Sequence, residues 1–170
     1  MTIQSRRALL QTVAAACVPT LSFAQNSKST NIVPQSNVTW SKLDLINGDT
    51  ITYSQLRGQV LVTYFWASWC PFCAEQSPEI DKLFTNFQSK GLYVLGVSVD
   101  KEIQAAKTYL KKHNYRFPST WLDPRGKTEL QKPPGIPWVM VYNKRGQLVQ
   151  QEKGQMFAED VQALSRWING

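Results

Sequence analysis

Cys70-Pro71-Phe72-Cys73 places two thiols one helical turn apart at the end of an apolar run. Cysteines so spaced can close a disulfide and reopen it by exchange with an incoming thiol. The run before them, Val60-Leu61-Val62-Thr63-Tyr64-Phe65-Trp66, is β-favouring throughout and reads as a buried strand. The turn Ala67-Ser68-Trp69 follows, and Pro71 stands where a helix has its first residue, a position at which a missing N–H removes no helical bond. Cys70 is therefore expected at a helix N-terminus, where backbone N–H groups and the positive end of the macrodipole favour thiolate over thiol. Cys73, one turn further in, is placed to attack any mixed disulfide that Cys70 makes.

Two blander readings compete with redox chemistry. Zinc normally takes four Cys or His ligands, and outside this pair the chain offers only Cys17, in an N-terminal leader, and His113, in a distant helical segment. An inert bridge across so small a loop restricts the unfolded chain less than one across a long loop. The redox reading is adopted, with no cofactor and no metal.

The leader spans residues 1–24. Arg6 and Arg7 form a positive n-region, Ala8 to Val18 is mostly apolar, and Ser22-Phe23-Ala24 supplies small residues at a cleavage point. Ser5-Arg6-Arg7-Ala8-Leu9-Leu10 resembles a twin-arginine signal, and an ordinary secretory signal with two arginines explains it equally well. Ala15-Ala16-Cys17 is a poor lipoprotein box, because Ala14 stands where Leu is usual. Export is the expectation, by either route. Residues 25–36, rich in Ser, Asn and Lys, read as a flexible linker. Cleavage after Ala24 removes Cys17, so both remaining cysteines lie in the motif, and an oxidising compartment favours their pairing.

The full chain of 170 residues carries a formal charge of +7, which falls to +5 without Arg6 and Arg7. What remains is enough for one domain with a full core, here residues 37–170. Lys111-Lys112 and Lys144-Arg145 lie in separate segments, so no basic run marks a nucleic-acid partner. The moderate positive charge is compatible with loose association with an anionic membrane surface.

Val38 to Ile51 reads as a hairpin turning at Asn47-Gly48. Tyr53 to Arg57 is a helical turn stopped by Gly58. The helix from Pro71 runs toward Lys90-Gly91, with Ile80, Leu83, Phe84 and Phe87 on one face and a kink at Pro78. Leu92 to Val99 is a second buried strand, parallel to the first. Glu102 to Asn114 is a helix with Ile103, Ala106 and Leu110 inward, and a short strand covers Ser119 to Leu122. One or two helical turns are expected up to Gln131. Trp138 to Tyr142 and Gln147 to Lys153 read as a hairpin around Asn143-Lys144-Arg145-Gly146. The last helix is expected to carry Phe157, Val161, Leu164 and Ile168 on one face. Pro137 opens the Trp138 strand, a permitted place for proline. X–Pro bonds are mostly trans, and only the CxxC context argues for cis here. A cis bond would turn the Ile136 backbone outward and offer a substrate peptide an edge.

Trp66-Ala67-Ser68-Trp69-Cys70-Pro71-Phe72-Cys73, with Pro78 beyond it and Ile136-Pro137 before a late strand, resembles the thioredoxin superfamily. The helix and strand between Asp100 and Leu122, with the export signal, make residues 37–170 similar to the TlpA/ResA-like group of periplasmic thiol-disulfide oxidoreductases. The resemblance implies an α/β thioredoxin fold: a mixed central sheet flanked by helices on both faces, with an N-terminal β-hairpin and a central αβ insertion. It implies Cys70 as the exposed nucleophile, Cys73 as the resolving thiol, a cis Pro137 against both sulfurs, and substrate contacts from Trp69 and Ile136. It further implies a monomeric reductase of cysteine pairs in other exported proteins, of the cytochrome c maturation or copper-site assembly type, recharged by a membrane-bound electron donor. A disulfide-forming oxidase is the alternative; a copper carrier or non-catalytic binding module is the alternative of another class. Three positions depart from the pattern. Tyr64 stands where thioredoxins carry a buried Asp, Gln76 where many relatives carry Glu, and Phe72 where Pro, Thr or His is usual. Glu75 projects about 100° away around the helix from Gln76, so the proton relay has no evident carrier.

Overall fold

The computed structural model describes residues 37–126 and 129–170. The leader and linker, residues 1–36, lie outside the described residues.

Strands β1 (Lys42–Asp44) and β2 (Thr50–Thr52) pair antiparallel, with Leu43 opposite Ile51. The hairpin is shorter than its sequence suggested, because the chain from Leu45 to Asp49 makes a wide turn. Gly48 there adopts φ 97°, a left-handed conformation suited to glycine, and Asn47 Oδ1 accepts the Asp49 N–H. A short 3-10 helix, Tyr53–Leu56, leads through Gly58 to strand β3 (Val60–Trp66). Every residue of β3 is buried, which requires cover on both faces of the sheet. Helix α1 (Pro71–Phe87) opens on its proline and continues through Pro78, burying Cys73, Gln76, Ser77, Ile80, Leu83 and Phe84.

Strand β4 (Leu92–Ser98) lies parallel to β3 in register from Val60–Leu92 to Trp66–Ser98. Helix α2 (Ile103–His113) buries Ala106 and Tyr109. Ile103 and Leu110, expected inward, are only partly buried, and Tyr109 takes the core position by packing its ring 5.2 Å from that of Trp66. Strand β5 (Ser119–Trp121) pairs parallel with β4, and strands β6 (Trp138–Tyr142) and β7 (Leu148–Lys153) form the expected hairpin. The mixed sheet has the order β5-β4-β3-β6-β7. The β1–β2 hairpin docks on the outer side of β5: Leu45 bridges Thr120, the Ile46 N–H donates to the Ser119 carbonyl at 2.7 Å, and the Thr120 hydroxyl donates to the Asp44 carbonyl at 2.7 Å.

Two further expectations fail. Of the one or two helical turns expected up to Gln131, residues 127–128 lie outside the described residues and residues 129–131 are not helical. Glu129 is drawn instead to the N-terminal segment, where its carboxylate accepts the N–H and hydroxyl of Ser41 and its carbonyl accepts the Thr39 hydroxyl. The following Pro133-Pro134 also disfavours helical backbone before it. The last helix, α3 (Ala158–Ala163), continues as a 3-10 turn over Leu164–Asn169, with Val161 and Leu164 buried as expected. Phe157, however, is its N-cap, in extended conformation (φ −70°, ψ 159°) and 76% exposed. A capping residue lies off the helical path, so the spacing that aligned Phe157 with Val161 does not apply to it. Helix α3 is tied to α1 by Gln162 Nε2, which donates to the Glu79 carbonyl at 2.9 Å.

Candidate active site

Cys70 is the N-cap of α1, with extended backbone (φ −87°, ψ 114°). Its Sγ accepts the Cys73 N–H at 3.2 Å, one of the donors that a helix start leaves without a backbone partner. Its own N–H donates to the Ala67 carbonyl, and its carbonyl accepts the Ala74 N–H. Cys70 and Cys73 form a disulfide, with Cα atoms 5.2 Å apart. Cys73 is fully buried, and Cys70, expected to be exposed, is only 4% accessible. In the disulfide state its sulfur turns inward to Cys73 and to the first helical turn, while the neighbouring rings of Trp69 and Phe72 stand out at 66% and 56% exposure. The helix N-terminus and the bonded N–H favour negative charge on Cys70 once the disulfide opens.

The loop before the motif is held by a residue that the sequence reading missed. Asp100, 1% exposed, follows the end of β4. Its carboxylate accepts the Ser68 N–H at 3.2 Å on each oxygen, the Ser68 hydroxyl at 2.7 Å and the Ser98 hydroxyl at 2.8 Å. Its carbonyl accepts Trp121 Nε1 at 2.8 Å. A carboxylate beyond the carboxyl end of a buried parallel strand is a signal for a site residue, and that signal was available at Ser98-Val99-Asp100.

Beneath Cys73, Tyr64 and Ser77 converge on one carbonyl. The Tyr64 hydroxyl lies 3.1 Å from the Cys73 oxygen, the Ser77 hydroxyl 2.7 Å from it, and the two hydroxyls are 3.1 Å apart. Burial pushes the Tyr64 phenol well above its ordinary range, against the weaker opposing effect of the Ser77 hydrogen bond. Tyr64 thus stays a neutral donor around neutral pH and does not replace the absent acid as a proton carrier.

Gln76 is 1% exposed, and its Oε1 accepts the Met156 N–H at 2.8 Å, stitching the connection after β7 onto α1. Its Nε2 is buried and has no hydrogen-bond partner among the described residues. Such an orphaned donor costs on the order of 1–3 kcal/mol. Glu75 points elsewhere, accepting Gln155 Nε2 at 2.6 Å on an exposed surface.

The Ile136–Pro137 bond is cis. Trp138 pairs with Phe65, so the antiparallel register brings Pro137 to the end of β3 from which the Trp69–Cys73 turn leaves. Two segments far apart in sequence therefore meet at one end of the sheet. Pro137 is buried, its carbonyl accepts the Gly154 N–H at 2.9 Å, and Ile136 is half-buried beside it. Among the described residues no three His, Cys, Asp or Glu side chains are grouped to hold a metal ion. His113 packs between Tyr109 and Tyr115, at ring separations of 4.5 and 5.3 Å.

A disulfide-capable CxxC pair at a helix start, on a five-stranded mixed sheet with a cis-proline at the same end, defines a thioredoxin-fold thiol-disulfide oxidoreductase. Comparison with known proteins agrees. Residues 33–150 match the AhpC/TSA family, and the chain belongs to that family. It is 25% identical over 126 residues to the thiol-disulfide oxidoreductase ResA of Bacillus thuringiensis subsp. konkukian, covering 72% of this chain and 71% of that one. Among solved structures, a putative thiol:disulfide interchange protein DsbE from Chlorobium tepidum superposes with a TM-score of 0.66 at 25% identity, covering 79% of this chain and 94% of that one. StoA from Bacillus subtilis shares the fold, with a TM-score of 0.63 at 24% identity, over 75% of this chain and 98% of that one.

Proposed function

We propose that the protein is an exported reductase that keeps cysteine pairs of other exported proteins reduced, in the manner of cytochrome c maturation or copper-site assembly, and that a membrane-bound donor recharges it. The single observation that carries the site assignment is Cys70 Sγ at the α1 N-cap, accepting the Cys73 N–H. In this reading the Cys70 thiolate attacks a substrate disulfide, a mixed disulfide forms, and the Cys73 thiolate displaces the reduced substrate. Two electrons pass to the substrate, and the Cys70–Cys73 bond closes. Trp69, exposed beside the nucleophile, and the Ile136–Pro137 segment at the same end of the sheet are the substrate contacts. The relatives named thiol-disulfide oxidoreductases support dithiol–disulfide exchange without fixing its direction, and the leader-like residues 1–24 support export.

The reduction potential of the Cys70/Cys73 couple tests the direction. A value near thioredoxin's, about −270 mV, is expected; one near about −120 mV would make the protein a disulfide-forming oxidase instead.

A further inference from the structure

The orientation of the Gln76 carboxamide is fixed by chemistry. The Met156 N–H can only donate, so the atom 2.8 Å from it is Oε1, and the NH2 group must point another way. That NH2 is shut off from solvent and meets no acceptor among the described residues. Gln76 lies three residues after Cys73 in α1, and both side chains are buried. Side chains at that spacing are helix neighbours, with Cβ atoms about 5–6 Å apart. In the disulfide the Cys73 sulfur carries no charge. When the bond opens, it becomes the strongest new acceptor within a turn of the orphaned donor.

We propose that Gln76 is the hydrogen-bond donor to the Cys73 thiolate, its NH2 group held ready by the Met156 tether and engaged only when the disulfide is open. The proposal rests on the reading of Cys70 as the attacked sulfur and Cys73 as its partner. As an incoming thiolate bonds to Cys70 Sγ, the Cys70–Cys73 bond breaks and its electron pair stays on Cys73 Sγ. No proton need move in that step, because the amide donor stabilises the anion where it forms. In reverse, the same thiolate attacks Cys70 Sγ in the mixed disulfide and releases the substrate as its thiolate. A donor thereby takes over at this position what a proton carrier could do: it holds Cys73 ready as an anion. The titratable groups with hydrogen bonds into this corner do not compete for the role. Tyr64, from β3, donates its hydroxyl to the Cys73 carbonyl and lies 3.1 Å from the Ser77 hydroxyl, and Glu75, on α1 itself, is exposed and bonded to Gln155. The connection after β7 brings the uncharged Gln155 and Met156.

The test uses the full chain with Cys17→Ser and Cys70→Ser, which leaves Cys73 as the only thiol. Its thiolate absorbance is titrated with Gln76 present and with Gln76→Leu, while NMR follows the Gln76 side-chain amide. Gln76→Leu should raise the apparent pKa of Cys73 by about one unit, or about tenfold less thiolate at a given pH below it. The Gln76 amide resonance should shift with the same midpoint. An unchanged Cys73 titration in a folded Gln76→Leu protein would overturn the proposal and leave Gln76 as a tether for Met156. Should that variant not fold, the unsubstituted Gln76 decides alone: an amide resonance that stays fixed through the Cys73 titration overturns the proposal. No substrate or direction of exchange enters, so an oxidising potential would remove the reductase reading and leave this result standing.

Discussion

Asp100 grips Ser68 through both its backbone N–H and its hydroxyl, two residues before the motif cysteine. One buried carboxylate thereby joins the end of β4 to the loop leaving β3, with Ser98 as a further donor. The active-site turn is therefore held from the neighbouring strand as well as from the helix that follows it.

Asp100→Ala should accordingly destabilise the domain by about 2–3 kcal/mol, because it leaves several buried donors without an acceptor. Asp100→Asn, which keeps some acceptors, should cost less. Urea unfolding of both variants measures this, and equal stability of Asp100→Ala and the parent would show that the grip contributes nothing.

In the reduced protein, limiting iodoacetamide should label Cys70 well before Cys73, since Cys73 is fully buried and Cys70 heads the helix. Peptide mapping reads the ratio, and preferential labelling of Cys73 would reverse the roles. Cys73→Ser should accumulate mixed disulfides with substrates through Cys70, which mass spectrometry can name.

Much of this was legible in the chain. Cys70-Pro71-Phe72-Cys73 after seven β-favouring residues announced the strand, the capped helix and the redox pair, and the cis bond at Pro137 followed from that context. Asp100 was not seen, because its role depends on β3 and β4 lying parallel in register, which no local pattern contains. Phe157 was misread because helical spacing cannot tell a first-turn residue from the cap ahead of it. At residues 129–131 the expected helical backbone gives way to hydrogen bonds between Glu129 and the distant Ser41. Composition gives no warning of such a competition.

The tyrosines set an alkaline limit. Burial raises the phenols of Tyr64 and Tyr115, and it pushes Tyr93 up to about 12. A group whose pKa is raised on folding contributes its full stability below the unfolded pKa, near 10, and loses it as pH rises further. Stability should thus be insensitive to these groups from neutral pH to about pH 9 and fall above pH 10. Urea midpoints against pH check this. Tyr64→Phe should lower stability by about 1 kcal/mol through its lost hydrogen bonds. The same substitution should not change the pH–rate profile between about pH 6 and 9, where the phenol is neutral in the parent protein.

Export predicts a mature N-terminus at Gln25, read by N-terminal sequencing of the periplasmic fraction. Changing Arg6-Arg7 to Lys-Lys should abolish export if the route is twin-arginine and barely alter it if the route is general secretion. A cytoplasmic protein beginning at Met1 would end the export proposal.

The hairpin that docks on β5 has a meaning for solubility. An outermost strand normally offers a bare row of N–H and C=O groups on which another chain can polymerise. Here Leu45 and Ile46 occupy that row at Thr120 and Ser119, and the Asp44 carbonyl takes the Thr120 hydroxyl. At the opposite margin, β7 presents Gln150, Gln151, Glu152 and Lys153 in its stead. The first strands of the domain thus act as a bumper, turning a template for aggregation into a finished border.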